Sequence, residues 1–469
     1  MGDLHSTITT DTGAVLEAGA VDAFKASMRG TVLCAHDAGY HEARQVWNGM
    51  IDKRPALIAR CTGVADVLQA VNFARTHHLL VAVRCGGHNA AGHATCEGGL
   101  VIDLSPMKGM RVDPLRRTVQ AQGGVTWGEL DRETQAFGLA TPGGTVNDTG
   151  IGGLTLGGGL GWLMGTYGLA CDNLVSADVV TADGRFLTAS ANDHQDLFWG
   201  LRGGSGNFGV VTSFEYRLHP VSTLLAGMVL YPRSQASEVL RFYRAFASTA
   251  PDELLTAAAL MTTPTGEAVV AIAVCYSGPL AEGERVVAPL RRFGHPTADM
   301  ISPMSYLQVQ NMLDPAAFPH GIQRYWKSSF LKRLDDQVLD IIVEHTTTML
   351  SPLSMVLFFH FHGAASRVRP DETAFGLRAD QWDYDIISQW QDPTEAEKHV
   401  QWTRELWSAV EPFATGGVYV NHLGPDDGER VRAAYGTNYP RLVALKNKYD
   451  PTNLFRLNQN ITPTVWPTV

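Results

Sequence analysis

No stretch of this 469-residue chain is apolar for long enough to span a bilayer. The opening "MGDLHSTITTDTG" has no basic segment leading into an apolar core, so no secretory signal is expected. Gly2 with Ser6 fits the loose myristoylation pattern, although a frayed start is the plainer reading. The six cysteines (34, 61, 85, 96, 171 and 275) form no CxxC pair. That argues against a disulfide framework or zinc site and fits a reducing, cytoplasmic compartment. Basic residues are outnumbered, 37 against 47 acidic, for a net charge of -10. Such a balance speaks against a general nucleic-acid or anionic-membrane binder. Internal repeats and low-complexity linkers are missing as well.

What is present is an ordinary globular composition, 45% hydrophobic and 18% charged. The length exceeds one core and implies two or three domains. Glycine is abundant, 47 residues, and clusters between 86 and 209. The stretch 17–30 reads as a helix. "PALIARC" (55–61), "GVADVLQAVNFARTHH" (63–78) and "LLVAVRC" (79–85) read as strand, helix, strand. "GGLVIDLSPM" and "RTVQAQGG" follow as strands, then a helix over 126–138. Residues 139–168 carry loop chemistry almost throughout. A hairpin over 174–190 turns at Asp183-Gly184. Residues 196–218 read as short helix, glycine loop and strand. After Pro220 glycine thins, and amphipathic helices alternate with strands such as "LTAAALMTT", "EAVVAIAVCY" and "SMVLFFHFH". Boundaries are expected near 222 and near 414.

Several motifs carry chemistry. Gly204-Ser205-Gly206-Asn207-Phe208-Gly209 matches GxGxxG, but a helix precedes it and a strand follows. A nicotinamide-binding fold needs the reverse order. "GGTVNDTGIGGLTLGGGLGW" (143–162) frees backbone N–H groups that suit a pyrophosphate; the plain alternative is a flexible loop. A loop this long inside a compact protein is usually functional. His88 follows Gly86-Gly87 at a strand end, where a neutral imidazole can act as a nucleophile. His360 and His362 share a strand face; without a third ligand they read as pocket or sheet surface rather than a metal pair. Asp383 and Asp385 share a face too, as a solvated edge or as a base over a substrate.

Together "ALIARCTGVADVLQAVNFAR", "VAVRCGGHN", "GGLTLGGGLGWLMGTYGLACDNL", "DLFWGLRGGSGNFGVVT" and "YDPTNLFRLNQNI" resemble the berberine bridge enzyme-like flavoprotein oxidases of the vanillyl-alcohol oxidase superfamily. The resemblance implies an α+β, two-domain FAD-binding fold, with an antiparallel-sheet substrate domain covered by helices. The FAD domain would take residues 1–222 and 415–469, and the substrate domain 223–414. It implies that His88 carries FAD through the 8α methyl, with Gly86 and Gly87 close to the pyrophosphate and Asn89 holding the turn. A second bond, from a cysteine, is implied in many relatives at the position of Val146; here one bond only is expected, and Cys171 reads as packing. A site opened for long oligosaccharides is thereby put in doubt. Thr149, at the oxygen-gating position, is small and favours an oxidase releasing hydrogen peroxide. Further implied cofactor contacts are Arg84, Cys85, Gly144, Thr145, Gly150, Gly153, Thr155, Gly158, Gly159, Gly161, Asn173, Gly209, Val211, Asn421, Asn458 and Asn460. The implied base is Asp385, or Asp383 with a one-residue slip, or a tyrosine phenolate at Tyr419; Tyr167 and His360 are further pocket candidates. The expected reaction removes hydrogen from a C–H beside O–H or N–H of an alcohol, sugar or cyclic amine, hydride passing to flavin N5. The expected partners are that small molecule and dioxygen. A flavin dehydrogenase with another acceptor and a non-catalytic flavin binder are the alternatives.

Overall fold

The computed structural model describes residues 13, 15–313 and 318–464. The pattern at Gly2 and Ser6 lies outside them. The α+β expectation holds, and the sheets divide along the chain.

The first sheet has four strands in the order Thr31–Leu33, Leu57–Arg60, Leu100–Asp103, Val81–Arg84. The helix Val64–Thr76 buries Val67, Ala70, Val71 and Ala74, the three-and-four spacing of a helix with one apolar face. It carries the chain past the position that Leu100–Asp103 then fills, pairing in parallel with both neighbours. A second, antiparallel sheet runs Met110–Asp113, Thr118–Gln122, Val210–Arg217, Leu174–Val180, Phe186–Ser190. Its last two strands form the expected hairpin, with Gly184 at φ +78° in the turn.

The third sheet has eight strands, all from residues 224–390. Strand alternation gives it two faces. Val356, Phe358, Tyr384 and Ile386 pack under the helices Ala236–Ala247, Asp336–Thr346 and Ala396–Val410. Leu357, Phe359 and Asp385 point the other way, into a cleft against the first two sheets. All ten residues of the strand Gln381–Trp390 are buried, because it lies between Met355–Phe361 and Gln323–Leu331. The solvated-edge reading of Asp383 and Asp385 is therefore overturned.

The stretch 139–168 is not all loop. Ile151–Leu156 and Met164–Tyr167 are short helices. Ile151, Leu156 and Met164 are buried in the core, and that packing overrides the weak helix propensity of the surrounding glycines. The chain beyond 414 returns to the first two sheets. Leu442, Leu445 and Tyr449 pack with Leu197 and Leu201, and Leu454 and Phe455 join Ile102, Val180 and Val210. Among the described residues no helix is long and apolar enough to cross a membrane. All six cysteines are free thiols.

Candidate active site

The cleft between the eight-stranded sheet and the first two sheets encloses about 1910 Å3 of empty space, counting its open mouth.

One wall starts where the strand Val81–Arg84 ends. Arg84 does not reach the cleft. Its Nε donates to Asp103 Oδ1 at 3.1 Å and its Nη2 to Oδ2 at 2.6 Å, anchoring the strand end inside the protein. From there Cys85, Gly86, Gly87, His88 and Asn89 line the cavity. Gly86 and Gly150 are glycines for a shared reason. A Cβ on Gly86 would lie 2.4 Å from Gly150 N, and one on Gly150 2.3 Å from Cys85 Sγ. The loop holding His88 and the glycine-rich loop thus cross backbone to backbone. Asn89 Oδ1 accepts from His93 N at 3.0 Å and fixes the turn. Burial pushes the Cys85 thiol up to about 11, so it is not a thiolate at neutral pH.

His88 is held on several sides. Its ring stacks on Trp47, with centroids 5.1 Å apart, and meets His320 edge-on at 5.4 Å. Its buried Nε2 stands 3.1 Å from Asp148 Oδ1, while His320 Nε2 stands 2.7 Å from Oδ2 of the same carboxylate. Burial alone would raise the Asp148 pKa, but the two imidazoles, His320 first, hold it well below the usual range. Nδ1 of His88 lies 3.4 Å from the Thr149 hydroxyl, which also lines the cavity. Val146 lines the same wall and is apolar.

The opposite wall carries a charged triad. His422 Nδ1 stands 2.9 Å from Asp385 Oδ1 and 3.4 Å from Asp383 Oδ2. Trp326 stacks on the His422 ring at 4.6 Å and donates its Nε1–H to Asp385 Oδ1 at 2.8 Å. The Ser328 hydroxyl donates to Asp383 Oδ1 at 3.3 Å. Burial would lower the His422 pKa, yet the carboxylates, Asp385 before Asp383, push it up to about 10. Burial, and then the Asp385 charge, push the Asp383 carboxyl up. Asp385 lines the cavity and Asp383 lies behind it. Asp385 Oδ2 is buried with no hydrogen-bond partner among the described residues, so an acceptor is left unspent at the cavity wall.

Tyr419 also lines the cavity. Its oxygen accepts from Gly159 N at 2.9 Å and from Asn421 Nδ2 at 2.8 Å. Burial raises its pKa far above neutrality, so it clamps the Gly158–Gly159 turn as a neutral phenol rather than serving as a phenolate base.

Thr145, Thr149, Gly150, Gly153, Gly161, Gly209, Val211, Asn421 and Asn458 line the cavity beside these groups. Other expected contacts do not. Gly144 packs beneath Leu154 and Trp127. Thr155 turns its hydroxyl to Tyr216 Oη at 2.8 Å, and Gly158 sits against Phe375. Asn173 spends its amide on the carbonyls of Tyr167 and Leu169 and its oxygen on His219. Asn460 falls outside the lining, and Gln459 takes that place. Tyr167 stacks on His219 at 4.0 Å, away from the cleft. His360 points to the helix-covered face of its strand, stacked on Trp382 at 4.4 Å with Nε2 2.9 Å from Asp380. Pocket roles for Tyr167 and His360 are thereby corrected. Trp47, Asp148, His320, Trp326 and His422 were not reached from the sequence. Only the adjacency of His422 to Asn421 signalled any of them.

The cavity fits a flavin nucleotide on its own chemistry. A Cβ on Gly153 or Gly206 would meet nothing within 4 Å, so both leave open room along the wall. His93 Nδ1, Asn458 Oδ1 and Gln459 Nε2 are buried there without a hydrogen-bond partner among the described residues. Val83, Leu104, Val210 and Phe214 supply an apolar surface for rings. Metal-ligating atoms also converge twice, within 4.8 Å, at His88–Asp148–His320 and Asp383–Asp385–His422. In the second cluster a cation would have to displace the proton that the two carboxylates hold on His422.

Known proteins give a consistent picture. An FAD binding domain family matches residues 55–190, and a family described as berberine and berberine like matches residues 418–462. An FAD-linked oxidoreductase of Dictyostelium discoideum is 34% identical, over 94% of this chain and 97% of that protein. (R)-6-hydroxynicotine oxidase of Paenarthrobacter nicotinovorans is 31% identical, over 93% of this chain and 97% of its own. The crystal structure of 6-hydroxy-D-nicotine oxidase from Arthrobacter nicotinovorans superposes with a TM-score of 0.87 at 30% identity, covering 93% of this chain and 98% of that one.

Proposed function

The chain belongs to the berberine bridge enzyme-like FAD-linked oxidoreductases, and from that premise we propose that it is an oxidase holding FAD by a single bond to His88 and passing electrons to dioxygen. The observation that carries this reading is the unspent Asp385 Oδ2, poised on one wall of the cavity that His88 lines on the other.

FAD, when bound, supplies the two-electron acceptor for a hydride leaving the substrate carbon. The chain's own residues do the rest. Asp385 Oδ2 accepts the proton of the substrate O–H or N–H. Trp326 fixes the carboxylate through Oδ1, leaving Oδ2 free. His422, held protonated by the two carboxylates, lies beside it with Nδ1 2.9 Å from Asp385 Oδ1. Leu357, Phe359 and Ile387 exclude water, which strengthens each of these interactions.

On the opposite wall, Asp148 beside Nε2 of His88 favours the tautomer with the proton on Nε2. Nδ1 then keeps its lone pair for bond formation at the 8α carbon. Val146 cannot form a second bond. Thr149, small and on the cavity wall, supports passage of dioxygen.

The test is direct. Purified protein is precipitated in acid, and the flavin is followed into pellet or supernatant. Flavin in the pellet, with its mass on the peptide around His88 alone, is the expected result. Yellow supernatant over a colourless pellet would overturn the bond. Peroxide released as substrate is oxidised is expected too; oxidation that proceeds only with an artificial acceptor would overturn the oxidase reading.

A further inference from the structure

We infer that the substrate is a neutral, ring-bearing alcohol, apolar except for one hydroxyl on the carbon to be oxidised, and neither an oligosaccharide nor an ammonium compound. The inference rests on the reading of this cavity as an FAD-dependent oxidation site and names the substrate class that the site selects.

The eight-stranded sheet and its loops supply one wall of the cavity, which reaches His88 through His320 and through Trp47. Among the described residues that line the cavity from this part of the chain, Leu313, Phe318, Trp326, Leu357, Phe359 and Ile387 are apolar or aromatic. Asp385 is the one ionisable side chain that the sheet itself adds to this lining, and His422, stacked on Trp326, lines the cavity beside it. The register makes this a consequence of the sheet: Leu357 pairs directly with Asp385 and Phe359 with Asp383, so each acid is flanked by a large apolar neighbour on the same face. A sugar brings a hydroxyl on nearly every carbon. Against this wall most of them would lose water without gaining a partner, each weakening binding on the order of tenfold. A fused or single ring carrying one hydroxyl loses nothing comparable and gains contact with these aromatic and branched side chains.

The aromatic groups do not form a cage for a cation either. Cation recognition by indole needs a free ring face. Trp47 already has the Arg324 guanidinium 3.8 Å from its ring centroid, with His88 stacked on it as well. Trp326 is stacked by His422 at 4.6 Å. The charge of Asp385 is met by His422 Nδ1 at 2.9 Å. An ammonium entering here would approach the His422 imidazolium and the Arg324 guanidinium, and the carboxylates that could offset them, Asp385 and Asp383, already stand 2.9 and 3.4 Å from His422 Nδ1. A neutral alcohol finds the opposite: as its hydroxyl proton passes to Asp385, the oxygen left behind develops negative charge near the His422 imidazolium. The balance is complete with oxidised FAD as the named acceptor. The O–H proton goes to Asp385, the C–H hydrogen leaves with its electron pair to the flavin, and the C–O bond becomes C=O.

Three probes separate the classes: 1-tetralol, 1-aminotetralin with the same ring skeleton but charged at neutral pH, and cellobiose. Each is added without oxygen to the FAD-loaded protein. The shift of the flavin absorption band reports binding, and its bleaching reports reduction. The expected result is a shift and bleaching with 1-tetralol, affinity at least tenfold weaker for the amine, and no response to cellobiose at the same concentration. Cellobiose or the amine binding as tightly as the alcohol would overturn the inference, as would a yellow protein whose spectrum 1-tetralol leaves unmoved up to its solubility. Protein purified without flavin and unable to take up FAD would instead overturn the reading of the site on which the inference stands.

Discussion

Asp385 and His422 divide one task between them. The acid and the imidazolium both line the cavity, 2.9 Å apart. Asp385→Asn keeps the shape and removes the proposed base. Flavin reduction by substrate is expected to slow by about 10²–10⁴-fold. Anaerobic stopped-flow measurement checks this, with substrate affinity changing far less. Asp148→Asn acts on the other wall. It takes the charge from beside His88 Nε2, and covalent incorporation of FAD is expected to slow on the order of 10²-fold while reversible binding persists. The time course of flavin retained in acid-precipitated protein decides it; an unchanged course would show that Asp148 does not assist. Of these residues, His88 and Asp385 were legible in the sequence, one by its Gly-Gly approach and the other by two-residue alternation. His422, Asp148 and His320 were not. Their meaning lies in partners 37, 60 and 172 positions away in the chain, which no local pattern encodes.

At the scale of elements, helix meets helix where the two halves of the cleft join. Asp131, on Trp127–Gln135, is fully buried and accepts from Gln310 Nε2 at 2.8 Å, on the helix Tyr306–Gln310. Burial pushes its carboxyl up to about 8. Unfolded, the same group loses its proton near pH 4. Between about pH 4 and 8 the folded chain therefore holds a proton that the unfolded chain has released, and stability falls as pH rises across that window. Asp131→Asn is expected to remove this fall, read from denaturant midpoints at pH 5, 6, 7 and 8. The slope of wild type is the control. Strands and helices with clean periodicity, such as Val64–Thr76 or Met355–Phe361, could be read in advance. Ile151–Leu156 could not, because glycine hides a helix that only its buried neighbours select.

At the scale of the whole molecule, one buried lysine ties distant segments together. Lys446 Nζ donates to Asn207 O at 3.0 Å and Phe455 O at 2.8 Å and pairs with Asp450 Oδ2 at 2.7 Å. Lys446→Met would leave Asp450 buried and uncompensated, at an expected cost of about 3–5 kcal/mol. Chemical denaturation measures the cost, and a lower fraction of chains that incorporate FAD should accompany it, since Phe455 and Asn458 line the cavity. The order of the sheets along the chain followed from where glycine density changes. That the last segment returns to the first sheet came only from resemblance.

That return has a consequence for the making of the protein. Trp47 and His88 leave the ribosome long before Asn458 and Gln459, yet all four border the same cavity. The cavity is thus complete only once the last segment has been made. On the proposed linkage, a message cut short upstream of Phe455 is expected to yield a polypeptide that carries His88 but lacks the closing wall and stays colourless.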